Sequence, residues 1–356
     1  MSSYQPPFFL RNGLIQTLYV AFWMSRHWQK TTNLVEPNYQ EHIFKGANDV
    51  PIFGLVAIPD NPRGTIVGTY GITGDLDNQW YLRLLGRKAY AQGYAVVLFD
   101  WRAHGKTALL SPALTSDGLL EGKDFMYIAS QAKTMGCPAQ FWFTGYSLGG
   151  KLALWALYEA SRSNIEEIYK LRAGDIGGGA VICPSLDAMR SLTYLENHPW
   201  GRYLEKAITQ NLKKLVTEIA KAHPQHIDRE ILTKINSIKE FDQYLVIPAL
   251  GFNTVAEYYH ASSPLNIMGD INKPTLILYA IDDPMFDPTL VDDLVKIGNK
   301  NPMVDLILTK NGGHVGYISN LSYQQEYQDV DEKVTQLDRW WAWNLCLDWF
   351  NLKGVN

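Results

Sequence analysis

The run Ala95-Val96-Val97-Leu98-Phe99 has no polar face, so as a strand it must be covered on both sides. Similar β-branched or aromatic runs recur at Ile52 to Ile58, Gly64 to Tyr70, Gln140 to Thr144, Gly179 to Cys183, Pro274 to Ala280 and Met303 to Leu308; the first run extends over Tyr94 to Asp100. Helical patterns such as Gln79 to Gln92 and Gly149 to Ser161 lie between them. This alternation predicts an α/β fold with a doubly wound, mostly parallel sheet. Ligands of such sheets sit beyond the carboxyl ends of the strands, so the residue after each run is where chemistry is sought.

The alternation stops between 185 and 262. There Leu204, Ile208, Leu212, Leu215 and Ile219, and then Ile227, Ile231, Ile235 and Ile238, recur at helical spacing, with Pro224 between them. Two amphipathic helices are expected, forming a cap inserted into one domain that spans residues 1–356. Part of their apolar surface is expected to roof a pocket. The chain has 46% hydrophobic and 19% charged residues, which excludes disorder. Its formal net charge of -4 and its lack of a clustered basic surface argue against a nucleic-acid partner. Arg202, Lys206, Lys213, Lys214 and Lys221 on the cap, set against Glu205 and Glu218, form a basic face of the kind that can rest on anionic lipid, but a solvated helix face is the preferred reading.

Cys137, Cys183 and Cys346 share no CxxC spacing, so neither a disulfide framework nor a cysteine zinc site is expected, and a reducing, cytoplasmic setting is. The apolar stretch Leu14 to Met24 is interrupted by Gln16 and Thr17 and is too short to span a bilayer.

The strongest local signal is Gly145-Tyr146-Ser147-Leu148-Gly149, a nucleophile-elbow pattern between an apolar strand and a helix-forming segment. A serine needs a base to take its proton and a carboxylate to orient that base, in the chain order Ser, Asp or Glu, His. Asp283, after the strand ending at Ala280 and just before Pro284, is the expected acid, with Asp282 as its rival. His314, in the loop Asn311-Gly312-Gly313-His314, is the expected base. The backbone amides of Leu148 and Ile72 are the expected oxyanion donors.

Weaker motifs lie elsewhere in the chain. Gly174 to Gly179 looks like a phosphate loop but precedes a strand instead of following one, and it is rejected. His104 is expected to support the site. His223 and His226 have no third ligand in view, and neither a metal nor a cofactor is expected.

These motifs together resemble the YheT-like α/β-hydrolases, a family that includes abhydrolase-domain lipases and yeast ethyl-ester acyltransferases. The resemblance rests on Pro6 to Thr17, Asp100 to Gly105, Gly145 to Gly150, Phe241-Asp242, Gly251-Phe252, Glu257-Tyr258-Tyr259, Ala280 to Pro284 and Gly312 to Gly316. It implies the triad Ser147, Asp283 and His314 and a serine hydrolase of carboxylic esters: acylglycerols, phospholipids or fatty-acyl esters. An alcohol acyltransferase using the same triad, or a non-catalytic lipid-binding protein, are the alternatives. Where the family usually has His-Gly at the oxyanion loop, this chain has Tyr70-Gly71, so the side chain bracing that loop differs. Some relatives carry an N-terminal membrane anchor, and no equivalent is expected here.

Overall fold

The apolar runs form the middle of an eight-stranded sheet in a computed structural model that describes residues 4–228, 230–328 and 333–354. Its strands are β1 (Gln40–Lys45), β2 (Pro51–Ala57), β3 (Thr65–Thr69), β4 (Ala95–Phe99), β5 (Phe141–Tyr146), β6 (Ile176–Ile182), β7 (Thr275–Ala280) and β8 (Val304–Thr309). They lie in the order β1-β2-β4-β3-β5-β6-β7-β8. β1 and β2 pair antiparallel with each other, and β2 with β4; the remaining pairs are parallel. β3, β4, β5 and β7 are buried along their whole length, as their unbroken apolar sequences require.

The register sets the site. Thr69 pairs with Gly145, Tyr146 with Ile182 and Ala280 with Thr309, so these strands end along one edge. The loops that begin at Tyr70, Ser147, Ile281 and Lys310 therefore leave the sheet side by side, each carrying one of the expected functional segments.

Four elements had no clear signal in the sequence. β1 (Gln-Glu-His-Ile-Phe-Lys) is a largely exposed edge strand whose polar composition hides it. β9 (Ile318–Gln328) and β10 (Lys333–Trp340) form a separate antiparallel hairpin, and a buried C-terminal helix follows over Trp341–Lys353.

Between β6 and β7 the chain is helical. The first expected amphipathic helix is present and longer than its apolar stripe, running over Pro199–Ala222 with proline at its first turn. The second is corrected: Ile227 to Ile238 is not one helix. It holds a single turn, Ile231–Lys234, then an extended Ile235, and a new helix starts at Ile238, with Ser237 accepting a hydrogen bond from the Glu240 N–H at 3.1 Å. Asn236-Ser237 favours a cap over a helix interior, so the pattern broke there. The isoleucines are nonetheless packed: Ile227 and Ile235 are buried in a second hydrophobic cluster with Leu212, Val216 and Ile219, against which Ile231 and Ile238 lie.

Candidate active site

Ser147 occupies the turn from β5 into the helix Leu148–Ala160, with φ 54° and ψ -126°, a conformation that side chains other than glycine rarely adopt. Three hydrogen bonds hold it there. Its N–H donates to Ile182 O at 3.0 Å, and its carbonyl accepts from Lys151 N at 3.2 Å and Ser185 N at 3.1 Å. Gly145 and Gly149 are needed because a Cβ on either would lie 2.4 Å from a backbone oxygen, that of Gly149 or of Tyr70 respectively. The turn is thus packed closely on both sides, and the Ser147 side chain is directed away from the sheet.

The hydroxyl meets His314. Ser147 Oγ is 2.8 Å from His314 Nε2, and His314 Nδ1 is 2.8 Å from Asp283 Oδ2. Asp283 is buried, and its second oxygen accepts from the Met285 N–H at 2.8 Å. Because Asp283 carries no hydrogen when ionised, Nδ1 is the protonated ring nitrogen in this chain of bonds and Nε2 faces the serine as an acceptor. Phe286 and the imidazole pack nearly perpendicular to each other at a centroid distance of 5.1 Å.

Asp282, the rival acid, points elsewhere. Its Oδ1 accepts the Gly313 N–H at 2.9 Å, so it clamps the histidine loop without touching the imidazole. A second clamp was not visible in the sequence: Thr17 Oγ1 accepts the His314 N–H at 2.8 Å and itself donates to Gly13 O at 2.7 Å. Gly13 lies where a Cβ would overlap the Asp282 carbonyl, and Gly313, at φ 58°, lies where one would strike Gly13 O. These glycines record the close approach, but nothing in their spacing pairs residue 17 with residue 314.

Tyr70, the departure from the family pattern, is fully buried and donates its hydroxyl to Asp100 Oδ1 at 2.6 Å. The same oxygen accepts from Leu76 N at 2.9 Å, and Oδ2 accepts from Lys106 N at 2.8 Å. Burial pushes the Asp100 carboxyl up to about 6 in spite of these donors. His104 braces the loop from the other side. Its Nδ1 bonds Arg102 O at 3.0 Å, its Nε2 accepts from Thr73 N at 3.1 Å, and its ring stacks on Trp101. Burial pushes this imidazole down to about 3, so it is neutral. The site thus has a neutral structural histidine besides the one facing Ser147.

The loop that follows β3 passes directly over the serine, since a Cβ on Gly71 would lie 3.1 Å from Ser147 Cβ and 3.4 Å from its Oγ. Leu148 is the first residue of its helix, so its N–H has no partner within the helix. Ile72, Leu148 and Ser147 all line one cavity of about 840 Å³, open mouth included. Trp101, Leu192, Leu195, Ile208, Leu212, Ile238, Phe241, Met285 and Phe286 make most of its wall apolar, and Thr115, Asp117, Asp242 and Tyr259 form a polar patch. In that patch Tyr259 donates to Asp242, whose carboxyl burial pushes well above its ordinary range, while Asp117 pairs with Lys151 at 2.9 Å. Eight of the lining residues come from the 188–241 helices, which wall the cavity that Ser147 opens onto.

Gly174 to Gly179 runs through a 3-10 turn into β6, and Asp175 within it pairs with Lys133 at 2.6 Å. His223 bonds Ala108 O at 3.1 Å, and among the described residues no group of three His, Cys, Asp or Glu is placed to hold a metal. All three cysteines are free and buried. Among the described residues no helix is long and apolar enough to cross a membrane.

A family model described as the alpha/beta hydrolase family matches residues 73–327. A Synechocystis sp. protein named provisionally as an esterase is 47% identical over 358 residues, which cover 99% of this chain and 95% of that one. The monoacylglycerol lipase of Saccharomyces cerevisiae is 24% identical over 277 residues, 76% of this chain and 58% of its own length. YheT of Escherichia coli, likewise named provisionally as an esterase, is 28% identical over 176 residues, 49% of this chain and 48% of that one.

Proposed function

Since the chain belongs to the alpha/beta hydrolase family and shares its hydrolase role, we propose that it is a serine esterase that cleaves carboxylic esters with an apolar acyl group. One observation carries this reading: the continuous hydrogen-bonded chain from Ser147 through His314 to Asp283, opening onto a largely apolar cavity.

The steps follow from the geometry. Ser147 Oγ attacks the ester carbonyl carbon as its proton passes to His314 Nε2, and the imidazolium is held by the Asp283 carboxylate. The carbonyl oxygen becomes an oxyanion that accepts from the Leu148 and Ile72 amides. Collapse breaks the carbon–oxygen bond to the alcohol, which takes the proton back from Nε2 and leaves an acyl-Ser147. Water then attacks the acyl carbon, yields its proton to His314, and the acid departs as Ser147 is reprotonated.

We read residues 185–262 as a cap whose leucine, isoleucine and phenylalanine side chains bind the acyl chain, and the polar patch at Asp242 and Tyr259 as the place for a polar portion of the ester. Acylglycerol, phospholipid and simple fatty-acyl esters all satisfy that division, and the motifs favour the YheT-like branch of the family. The test is a p-nitrophenyl ester series. Each buried methylene contributes about 0.8 kcal/mol, so two added carbons should raise kcat/KM by roughly tenfold until the cavity is full. Acetyl esters cleaved as efficiently as octanoyl esters would refute the acyl-pocket reading. Product analysis with added ethanol separates hydrolysis from acyl transfer.

A further inference from the structure

Residues 13–27 form a continuous helical segment, an α-helix over Gly13–Leu18, a π-helical turn over Tyr19–Met24 and a last α-helical turn over Ser25–His27. Its inner face is accounted for. Gly13, Gln16, Val20 and Met24 are buried, and Thr17 and Gln16 hold the His314 and Ile318 amides. Its outer face is not. Ile15, Phe22 and Trp23 are 52%, 64% and 56% exposed, and Phe8 and Phe9 in the preceding turn are 82% and 61% exposed. Phe9 reaches the helix at Tyr19, with ring centroids 6.1 Å apart, so the two groups form one patch. A soluble surface seldom gathers five large apolar side chains in so short a stretch.

The charge around that patch is one-sided. The protein is acidic overall, yet no Asp or Glu precedes Glu36, while Arg11, Arg26 and Lys30 fall within the same stretch and are exposed. Glu36 itself is bound between Arg83 and Arg87. Among the described residues none of the three cations makes an ion pair, and Arg11 lies over the Phe8 ring at 5.5 Å. Aromatic side chains flanked by exposed cations match a bilayer interface that is apolar below and anionic above. The cap helix is a poorer match, since Glu205 and Glu218 are interspersed with its cations.

We propose that the Phe8-to-Lys30 surface docks the protein on an anionic lipid bilayer. The inference goes beyond the esterase reading and does not depend on it, because binding is measured without turnover. The Phe8-to-Lys30 segment also holds the histidine loop, through Thr17 to His314 and through Arg11 O, which accepts from Asn311 at 2.6 Å. A surface that engages lipid is therefore joined by direct hydrogen bonds to the site that would use it.

Co-sedimentation of the full chain with phosphatidylcholine vesicles, with and without phosphatidylglycerol, tests this. Binding is expected with the anionic vesicles and is expected to weaken at high salt. Phe22→Ser with Trp23→Ser should lower the partition coefficient by roughly tenfold or more with an unchanged melting temperature. Should that variant fail to fold, Arg26→Glu with Lys30→Glu should lower it by roughly tenfold or more through charge alone. Equal binding to neutral vesicles, or loss of binding on Trp200→Ser with Tyr203→Ser in the cap while Phe22→Ser with Trp23→Ser binds normally, would overturn the proposal. So would a dimer in light scattering that Phe22→Ser with Trp23→Ser dissociates, with no vesicle binding by the parent.

Discussion

Asp282 and Asp283 are neighbours in sequence and hold different donors, one a backbone amide and the other an imidazole. Asp283→Asn should leave His314 without an anionic partner and in the wrong tautomer, costing on the order of 10⁴-fold in kcat, as for a triad carboxylate elsewhere. Asp282→Asn keeps an oxygen for the Gly313 amide and should cost less than about tenfold. Steady-state kinetics of both variants decide the matter, and reversed losses would shift the turn by one residue.

His104 gives a prediction of a different sort. Its imidazole is held down to about 3 by burial, so between pH 6.5 and 3 the unfolded chain binds a proton that the folded one does not. Its contribution to stability is therefore lost as pH falls through that window, at up to about 1.4 kcal/mol per pH unit. Asp100, raised to about 6, acts in the opposite sense below that pH, because there the folded state takes up the extra proton. Comparing wild type with His104→Gln in urea denaturation across this range isolates the histidine: the stability difference should shift in the variant's favour as pH drops. A difference that stays constant with pH would show that His104 already carries its proton in the fold.

Among the elements, legibility in the sequence followed burial. β4 and β5 were readable because both faces are covered and every residue must be apolar. β1 was not, because an edge strand tolerates Gln, Glu, His and Lys. In the cap the isoleucine spacing reported burial faithfully but not helix, since Ile235 reaches the second cluster from an extended backbone. The site divides similarly. The three residues at Ser147, Asp283 and His314 each sit at the end of a recognisable strand, and the sheet register brings those ends together. Thr17 belongs to a helix whose position depends on tertiary packing alone, so no local pattern could assign it to His314. The long cap helix carries its own test. Leu212 is buried and lines the cavity, and Leu212→Trp adds bulk where an acyl chain would lie. Octanoyl ester kcat/KM should fall by roughly tenfold or more while acetyl ester turnover stays within about twofold. An equal loss on both esters would mean that the substitution disturbs the fold instead of the acyl pocket.

At the scale of the whole molecule, the C-terminal elements close the sheet on the side of the helix Trp80–Ala91. Lys88 from that helix is fully buried, pairs with Asp338 at the end of β10 and donates to Asn344 Oδ1 at 3.0 Å. Lys88→Met would leave Asp338 buried without its cation and should cost about 3–5 kcal/mol in denaturant unfolding, with activity per folded molecule retained. A cost under about 1 kcal/mol would mean that water reaches the carboxylate.

All of these elements serve one arrangement, strand ends in register that present a serine, a histidine and an aspartate to a covered cavity. Its most direct test is labelling of the native protein with a fluorophosphonate probe, followed by peptide mapping. A single modified residue, Ser147, is expected, with no labelling in a Ser147→Ala variant whose circular dichroism is unchanged. Modification of another serine, or labelling undiminished in Ser147→Ala, would contradict it.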